Sequence, residues 1–124
     1  MKLYEILNLD ETLKSLSDKT FPAKVSFKLL KLSTFCAGEV ETFQTVLSQI
    51  ANKYGARDKQ DKLIPLENGS GIKLKAGSEN DAQKEIDELY GMEIQKPDIH
   101  FSEEDFEKIE LPMKDLKVFL PFIE

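Results

Sequence analysis

Apolar side chains recur at Val25, Leu29, Leu32, Cys36, Val40, Phe43, Leu47, Ile50 and Tyr54, in steps of four and three that average close to the 3.6 residues of an α-helical turn. This stripe predicts one long helix over residues 22–54. Phe21-Pro22 marks its start, because a proline at the first helical position gives up an N–H that would be unpaired there anyway. Lys53-Tyr54-Gly55 marks its end, with a cation in the last turn and a glycine to cap it. At about 1.5 Å per residue such a helix runs roughly 50 Å, longer than a small domain is wide. Part of its surface therefore needs a partner or stays in water. Gly38 interrupts the stripe at a cost of about 1 kcal/mol against alanine. It fits a close crossing by another helix or a break into a hairpin, and the unbroken phase of the stripe favours a continuous or gently kinked helix.

The rest of the chain must pack around that helix. A length of 124 residues with 40% hydrophobic and 32% charged side chains fits one soluble domain over residues 1–124. No apolar run approaches a membrane span, and acidic residues interrupt the N-terminal apolar stretch. Cytoplasmic synthesis is the expectation. The single cysteine, Cys36, has no internal disulfide partner and lies on the stripe, as a small buried hydrophobe would.

Before the helix, MKLYEILNL is apolar on both faces and fits a short buried strand or a helical turn, the strand being preferred. Asp10 then reads as the cap of a short helix over residues 11–18. After the long helix, Leu63-Ile64-Pro65-Leu66 and Ile72-Lys73-Leu74-Lys75 flank an Asn68-Gly69 centre, which predicts a hairpin over residues 62–76 with Pro65 on an edge. Ser78 or Asn80 opens a second helix over residues 79–90, with Ala82, Ile86, Leu89 and Tyr90 on one face and Gly91 at its end. It is a natural antiparallel mate for the second half of the long helix. An edge strand is predicted over residues 93–101 and short helices over 102–120, opened by a capping box at Ser102 and Asp105. Apolar residues persist almost to the end, so the C-terminus should be docked. The fold class expected from these elements is α+β, with a small antiparallel sheet beside the helices.

Charge narrows the function classes. Residues 1–58 carry eight Lys/Arg against seven Asp/Glu, whereas residues 59–124 carry nine against sixteen. The acidic second half repels phosphate and argues against general nucleic-acid binding, while suiting a basic protein partner. No cofactor, metal or catalytic site is expected. His100 is the single histidine, far in sequence from Cys36, so zinc-type spacing is missing. Asp81, Glu85 and Glu88, and the cluster Glu103-Glu104-Asp105, read as solvated faces and caps rather than as a calcium loop. Gly69-Ser70-Gly71-Ile72-Lys73 lacks the Gly-Lys-Ser/Thr ending of a phosphate loop.

The candidate site is instead an interface. Lys24, Lys28 and Lys31 form a basic strip beside the stripe, and Phe27, Leu30 and Phe35 widen the apolar surface beyond what one packing partner covers. Core packing with a solvated flank is one reading. A dock for a protein partner, or for the acidic half of a second copy, is the other.

Several short motifs also run together in order: Phe21-Pro22-Ala23-Lys24, Lys28-Leu29-Leu30-Lys31-Leu32, Glu39 and Glu41, Lys53-Tyr54-Gly55, Glu88-Leu89 with Glu93-Ile94, Asp115-Leu116, and Leu120-Pro121-Phe122-Ile123-Glu124. In them the whole chain resembles a family of small tailed-phage proteins known only as a domain of unknown function. The resemblance implies phage origin and, by association, virion assembly or host interference, in the host cytoplasm or the virion. It brings no functional residue with it. The expectation is a non-enzymatic protein that works by protein contact, probing one of two roles: a virion or assembly component, or an inhibitor of a host protein with an acidic, nucleic-acid-mimicking surface.

Overall fold

The structure is a computed structural model that describes every residue except Asn68, Ser70, Lys108 and Glu124. Its helices are α1 (Leu3–Ser15), α2 (Ala23–Tyr54), α3 (Glu79–Tyr90) and α4 (Met113–Lys117), with single 3-10 turns at Glu103–Phe106 and Leu120–Phe122. The chain divides into two compact units, Met1–Val40 with Glu93–Glu124, and Glu41–Met92.

The expected α+β fold is overturned. Backbone pairing among the described residues amounts to isolated bridges, and the fold is all-α. Three local corrections make up that difference. Residues 1–9 are not a strand: α1 begins at Leu3 and runs without a break to Ser15, into the segment assigned to a separate helix over 11–18. The buried side chains Leu3, Ile6, Leu9, Leu13 and Leu16 advance by threes and fours, a helical period that Tyr4 and Leu7 obscured. Asp10 is therefore not a cap. It is buried within the helix and its carboxylate meets Lys14 Nζ at 3.0 Å, one turn on. The actual start is closed by the Lys2 N–H, which donates to Glu5 Oε1 at 2.9 Å.

The hairpin expected over 62–76 is the second correction. Pro65 bridges Ile72, Arg57 bridges Leu63 and Gly55 bridges Leu74, each singly. Pro65 has no N–H to give a ladder, and the neighbouring groups are shared with a third segment. Ile64 N–H donates to Ala56 O at 3.1 Å, Ala56 N–H to Lys73 O at 2.8 Å, and Lys75 N–H to Tyr54 O at 2.8 Å. The two arms keep Lys73 N–H to Ile64 O at 2.7 Å and Leu66 N–H to Gly71 O at 2.9 Å, while residues 54–57 pair with both, and the result is isolated bridges rather than a two-armed ladder. Of the expected turn centre, Asn68 lies outside the described residues, and Gly69 adopts φ +72°, the left-handed region open to glycine.

The third correction concerns residues 93–101, which form no strand. They touch other segments through the bridges Lys2 to Glu93 and Phe101 to Ile123, and Pro97 takes out one donor while its carbonyl accepts from Ile99 N–H at 2.9 Å. With no β-structure left on either side, the edge they were assigned to does not exist.

In the unit Met1–Val40 with Glu93–Glu124, α1 and the first half of α2 bury Ile6, Leu9, Leu13, Leu16, Val25, Leu29, Leu32 and Cys36 against Phe101, Phe119 and Phe122. The rings of Phe101, Phe106 and Phe119 lie 5.2–5.9 Å apart, tilted or edge-on, the separation at which aromatic pairs attract. Ser102 N–H donates to Asp105 Oδ2 at 3.0 Å and closes the 3-10 turn there. α4 is a single short helix after Pro112, and the last turn buries Phe122.

In the unit Glu41–Met92, α3 lies antiparallel to the second half of α2. Phe43 stacks on Tyr90 at 5.3 Å while Lys53 meets Glu85 at 3.1 Å, so one helix advances as the other recedes. Ala82 and Phe43 are buried there. Ser78 stands just ahead of α3, but its hydroxyl donates back to Lys75 O at 2.6 Å rather than capping the helix. α2 passes Gly38 as helix, and among the described residues nothing lies within 4 Å of where a Cβ would stand there.

Candidate partner interface

Helical geometry sorts the six residues of the candidate face. Taking the buried line Val25, Leu29, Leu32 and Cys36 as zero and about 100° per residue, Phe27 and Leu30 fall on the opposite side of α2. Lys24 and Lys31 lie on one edge of that outer face, and Lys28 and Phe35 come round toward the core. The structure follows this arithmetic. Phe27 is 63% exposed and Leu30 68% exposed, while Phe35 is half-buried against the core cluster. Phe27, Leu30, Lys31, Thr34 and Phe35 form the floor and one wall of a shallow depression, and Pro97 and Ile99 form the other wall.

The basic strip does not act as one. Lys28 is drawn away from the outer face: its Nζ lies 2.8 Å from Asp105 Oδ2 and 5.5 Å from the centre of the Phe101 ring. That hydrogen bond, with a second from the Ser102 backbone, holds the Asp105 carboxyl below the usual carboxylate range, and the charge of Lys24 adds to it. Lys31 Nζ sits 5.1 Å over the Phe27 ring, an exposed cation–π contact worth about 0.5–1 kcal/mol. Lys24 is exposed. The structure therefore brings Phe27, Lys31 and Phe35 together, leaves Lys24 on the same face a turn away, and gives Lys28 to the fold.

Pro97 and Ile99 are the wall residues that sequence reasoning missed. Their segment has no period, and nothing in the local pattern places it beside α2. Asp98, between them, is exposed and has a carboxylate oxygen 2.7 Å from His100 Nε2. His100 is exposed as well, at the surface rather than in a cleft.

A second concavity lies between the second half of α2 and α3, lined by Val46, Gln49, Ile50, Lys53, Glu85, Glu88, Leu89 and Met92. The nearby Tyr54 hydroxyl, then the Lys53 ammonium, hold the Glu85 carboxyl below its usual range, and Glu85 in turn raises both partners. Glu85 Oε2 is shut off from solvent yet meets no group at hydrogen-bonding geometry. Lys53 and Glu85 make an ion pair beside an apolar cleft.

Cys36 is fully buried, and burial first, then the charges of Asp10 and Glu39, push its thiol up to about 12. At neutral pH it is a protonated core side chain. Among the described residues no group of three or more His, Cys, Asp or Glu converges as metal ligands. No helix among them is long and apolar enough to cross a membrane. Comparison with protein-family models, with curated proteins and with solved structures returns no match for this chain.

Proposed function

We propose that this chain is a phage-encoded recognition protein that acts by protein contact rather than by catalysis, and that its partner docks on the outer face of α2 around Phe27 and Leu30. One observation carries the reading. Two large apolar side chains, 63% and 68% exposed, stand about one turn apart on a helix whose inner line, Val25, Leu29, Leu32 and Cys36, is buried; Tyr4, Met113 and Leu120 are exposed in the same unit, on other elements. Single exposed apolar residues are ordinary, but an adjoining pair with Phe35, Pro97 and Ile99 beside it forms a contiguous patch of the kind that marks interaction sites. Lys31, poised over Phe27, supplies a polar rim.

The proposed role is that of a virion or assembly component, the alternative being inhibition of a host protein. The exposed side of α3, with Glu79, Asp81, Asp87 and Glu88, is the feature that favours the alternative, since it would suit a basic host site. Photo-crosslinking separates them. A photoreactive phenylalanine at position 27, expressed during infection, should yield one dominant adduct that a control probe at Lys84 does not. A virion protein in that adduct supports the assembly role and a host protein the inhibitor. Equal, diffuse labelling from both positions would remove the interface.

A further inference from the structure

We propose that the occupant of the Phe27–Leu30 face is an acidic amphipathic helix, whose paired apolar side chains enter the depression while two carboxylates reach Lys24 and Lys31. The inference rests on reading this face as the partner site, and it goes further by fixing the partner's chemistry.

Three lysines lie on this side of α2, and the fold uses one of them. Lys28 is paired with Asp105. Lys24 and Lys31 have no ion-pair partner among the described residues, although the neighbouring 3-10 turn carries Glu103 and Glu104 as well. These two cations bracket Phe27 and Leu30 along the helix. Their seven-residue separation is two turns, about 10 Å. An α-helical partner repeats its own side chains at the same interval, so carboxylates two turns apart can meet both ammonium groups at once. Between them, apolar residues spaced like Phe27 and Leu30 fall on the same face of the partner.

Charge also decides against a two-fold contact between two copies through this same patch. A two-fold contact through this patch would set Lys24 and Lys31 of one copy against the same cations of the other. Like charges brought together in a desolvating contact oppose binding. Asp98, on the rim, carries a single carboxylate against the two ammonium groups of Lys24 and Lys31, which leaves these three side chains a net cation beside an apolar floor. The same cations argue against a basic partner segment.

The test uses the full chain, isotopically labelled for NMR, and a stapled helical peptide as probe. The peptide carries leucines at the spacing of Phe27 and Leu30, and glutamates at the spacing of Lys24 and Lys31. Saturable amide shifts are expected, concentrated at residues 24–35 and 97–99. A peptide with lysines in place of the glutamates, or the doubly reversed variant Lys24→Glu, Lys31→Glu, should bind about tenfold more weakly. Pairing the lysine peptide with the reversed variant should restore binding. Both lysines are on the surface, so the variant should fold as the parent does, and its amide spectrum verifies this.

Equal affinity for the two peptides, lost in Phe27→Ser, Leu30→Ser, would overturn the acidic partner while leaving the patch as an interface. Shifts located elsewhere, or none, would overturn the inference whatever the crosslinking gives. A dimer in sedimentation equilibrium that the Lys24→Glu, Lys31→Glu variant tightens would overturn it in favour of a second copy.

Discussion

The two compact units are built on successive halves of one helix, yet they are held together differently. In Met1–Val40 with Glu93–Glu124, the inward stripe of α2 meets α1 on one side and three phenylalanines on the other, and the side chains disappear from solvent almost completely. In Glu41–Met92, the continuing stripe of α2 buries Phe43 but leaves Val46, Leu47 and Ile50 partly exposed, and α3 contributes Ala82 as its fully buried residue. What the second unit lacks in apolar burial it makes up with backbone bonds and close fit: single bridges among residues 54–75, the Lys53–Glu85 pair, and Gly55 wedged against its neighbours. At about 1.5–3 kcal/mol for each fully buried large side chain, the first unit should be the harder to open. A helical stripe, then, says where a core can form, while the elements laid on it decide how deep that core becomes.

Phe119→Ala offers the most forceful way to break that contrast. Phe119 is fully buried against the Phe101 and Phe106 rings, and truncating such a residue costs about 3–5 kcal/mol, a large share of the 5–15 kcal/mol that holds a typical domain. Phe43→Ala should fall at the lower end, about 3 kcal/mol, because Phe43 is 8% exposed where Phe119 is fully buried. Denaturant unfolding of both variants reads the costs, and hydrogen exchange assigns them to a unit. If Phe43→Ala proves the more damaging, the ranking of the two cores is reversed.

The second unit has its own sensitive point. A Cβ at Gly55 would stand 2.4 Å from Ala51 O, 2.5 Å from Leu63 Cδ2 and 2.7 Å from Ile72 Cδ1. The two side-chain ends can swing aside; the carbonyl belongs to the last turn of α2 and cannot. Gly55→Ala should therefore destabilise by about 1–3 kcal/mol, with faster amide exchange at residues 54–75. A neutral result would mean that this segment yields easily, and that fit is not what holds it.

How much of this was legible in the sequence follows from which signals are local. The long stripe and the capped run Glu79–Tyr90 carry their period within themselves, so α2 and α3 could be read directly. α1 was hidden because Tyr4 and Leu7 fill positions between Leu3, Ile6 and Leu9, and a filled pattern over nine residues suits either period. The sheet was inferred from two short runs flanking an Asn-Gly centre, but pairing is settled by competition for backbone groups, and residues 54–57 entered that competition from outside the segment. For the interface, the stripe of α2 set Phe27, Leu30 and Phe35 off the core line but left core packing and docking both open. The loss of Lys28 to Asp105 and the arrival of Pro97 and Ile99 depend on how distant segments pack. No spacing within residues 22–54 encodes them.

A milder probe of the first unit is acid. Because Lys28 and the Ser102 N–H hold the folded-state pKa of Asp105 below its unfolded value, the carboxylate adds stability that is fully present above about pH 4, the ordinary aspartate value. That stability is lost as pH falls through the lower folded value. Asp105→Asn should cost on the order of 1 kcal/mol at neutral pH, and should flatten the fall of the unfolding midpoint below pH 4. An unchanged acid limb would show that the pair adds nothing to the packing around Phe101. Gly38→Ala should act in the opposite direction. Its Cβ enters open space on a regular helix, so the variant should gain about 0.5–1 kcal/mol by helix propensity. A loss in its thermal unfolding would mean that α2 is not regular there.

The smallest expected effect tests the patch against the core beneath it. Phe27 and Leu30 stand on the better-packed unit but outside its packing, so the pair Phe27→Ser, Leu30→Ser should leave stability within about 0.5 kcal/mol per site of the parent, the range for surface positions free of special contacts. The Lys31 contact with the Phe27 ring is the one intramolecular interaction at stake there, and it is solvent-exposed. If the pair instead costs as much as Phe119→Ala, both side chains belong to the core in solution, and the outer face of α2 has no apolar surface left to offer a partner. A near-zero cost joined to loss of the position-27 crosslinked adduct would separate folding from recognition on the same two turns of helix. In that case the residues that hold this unit together and those that do its work lie on opposite sides of α2.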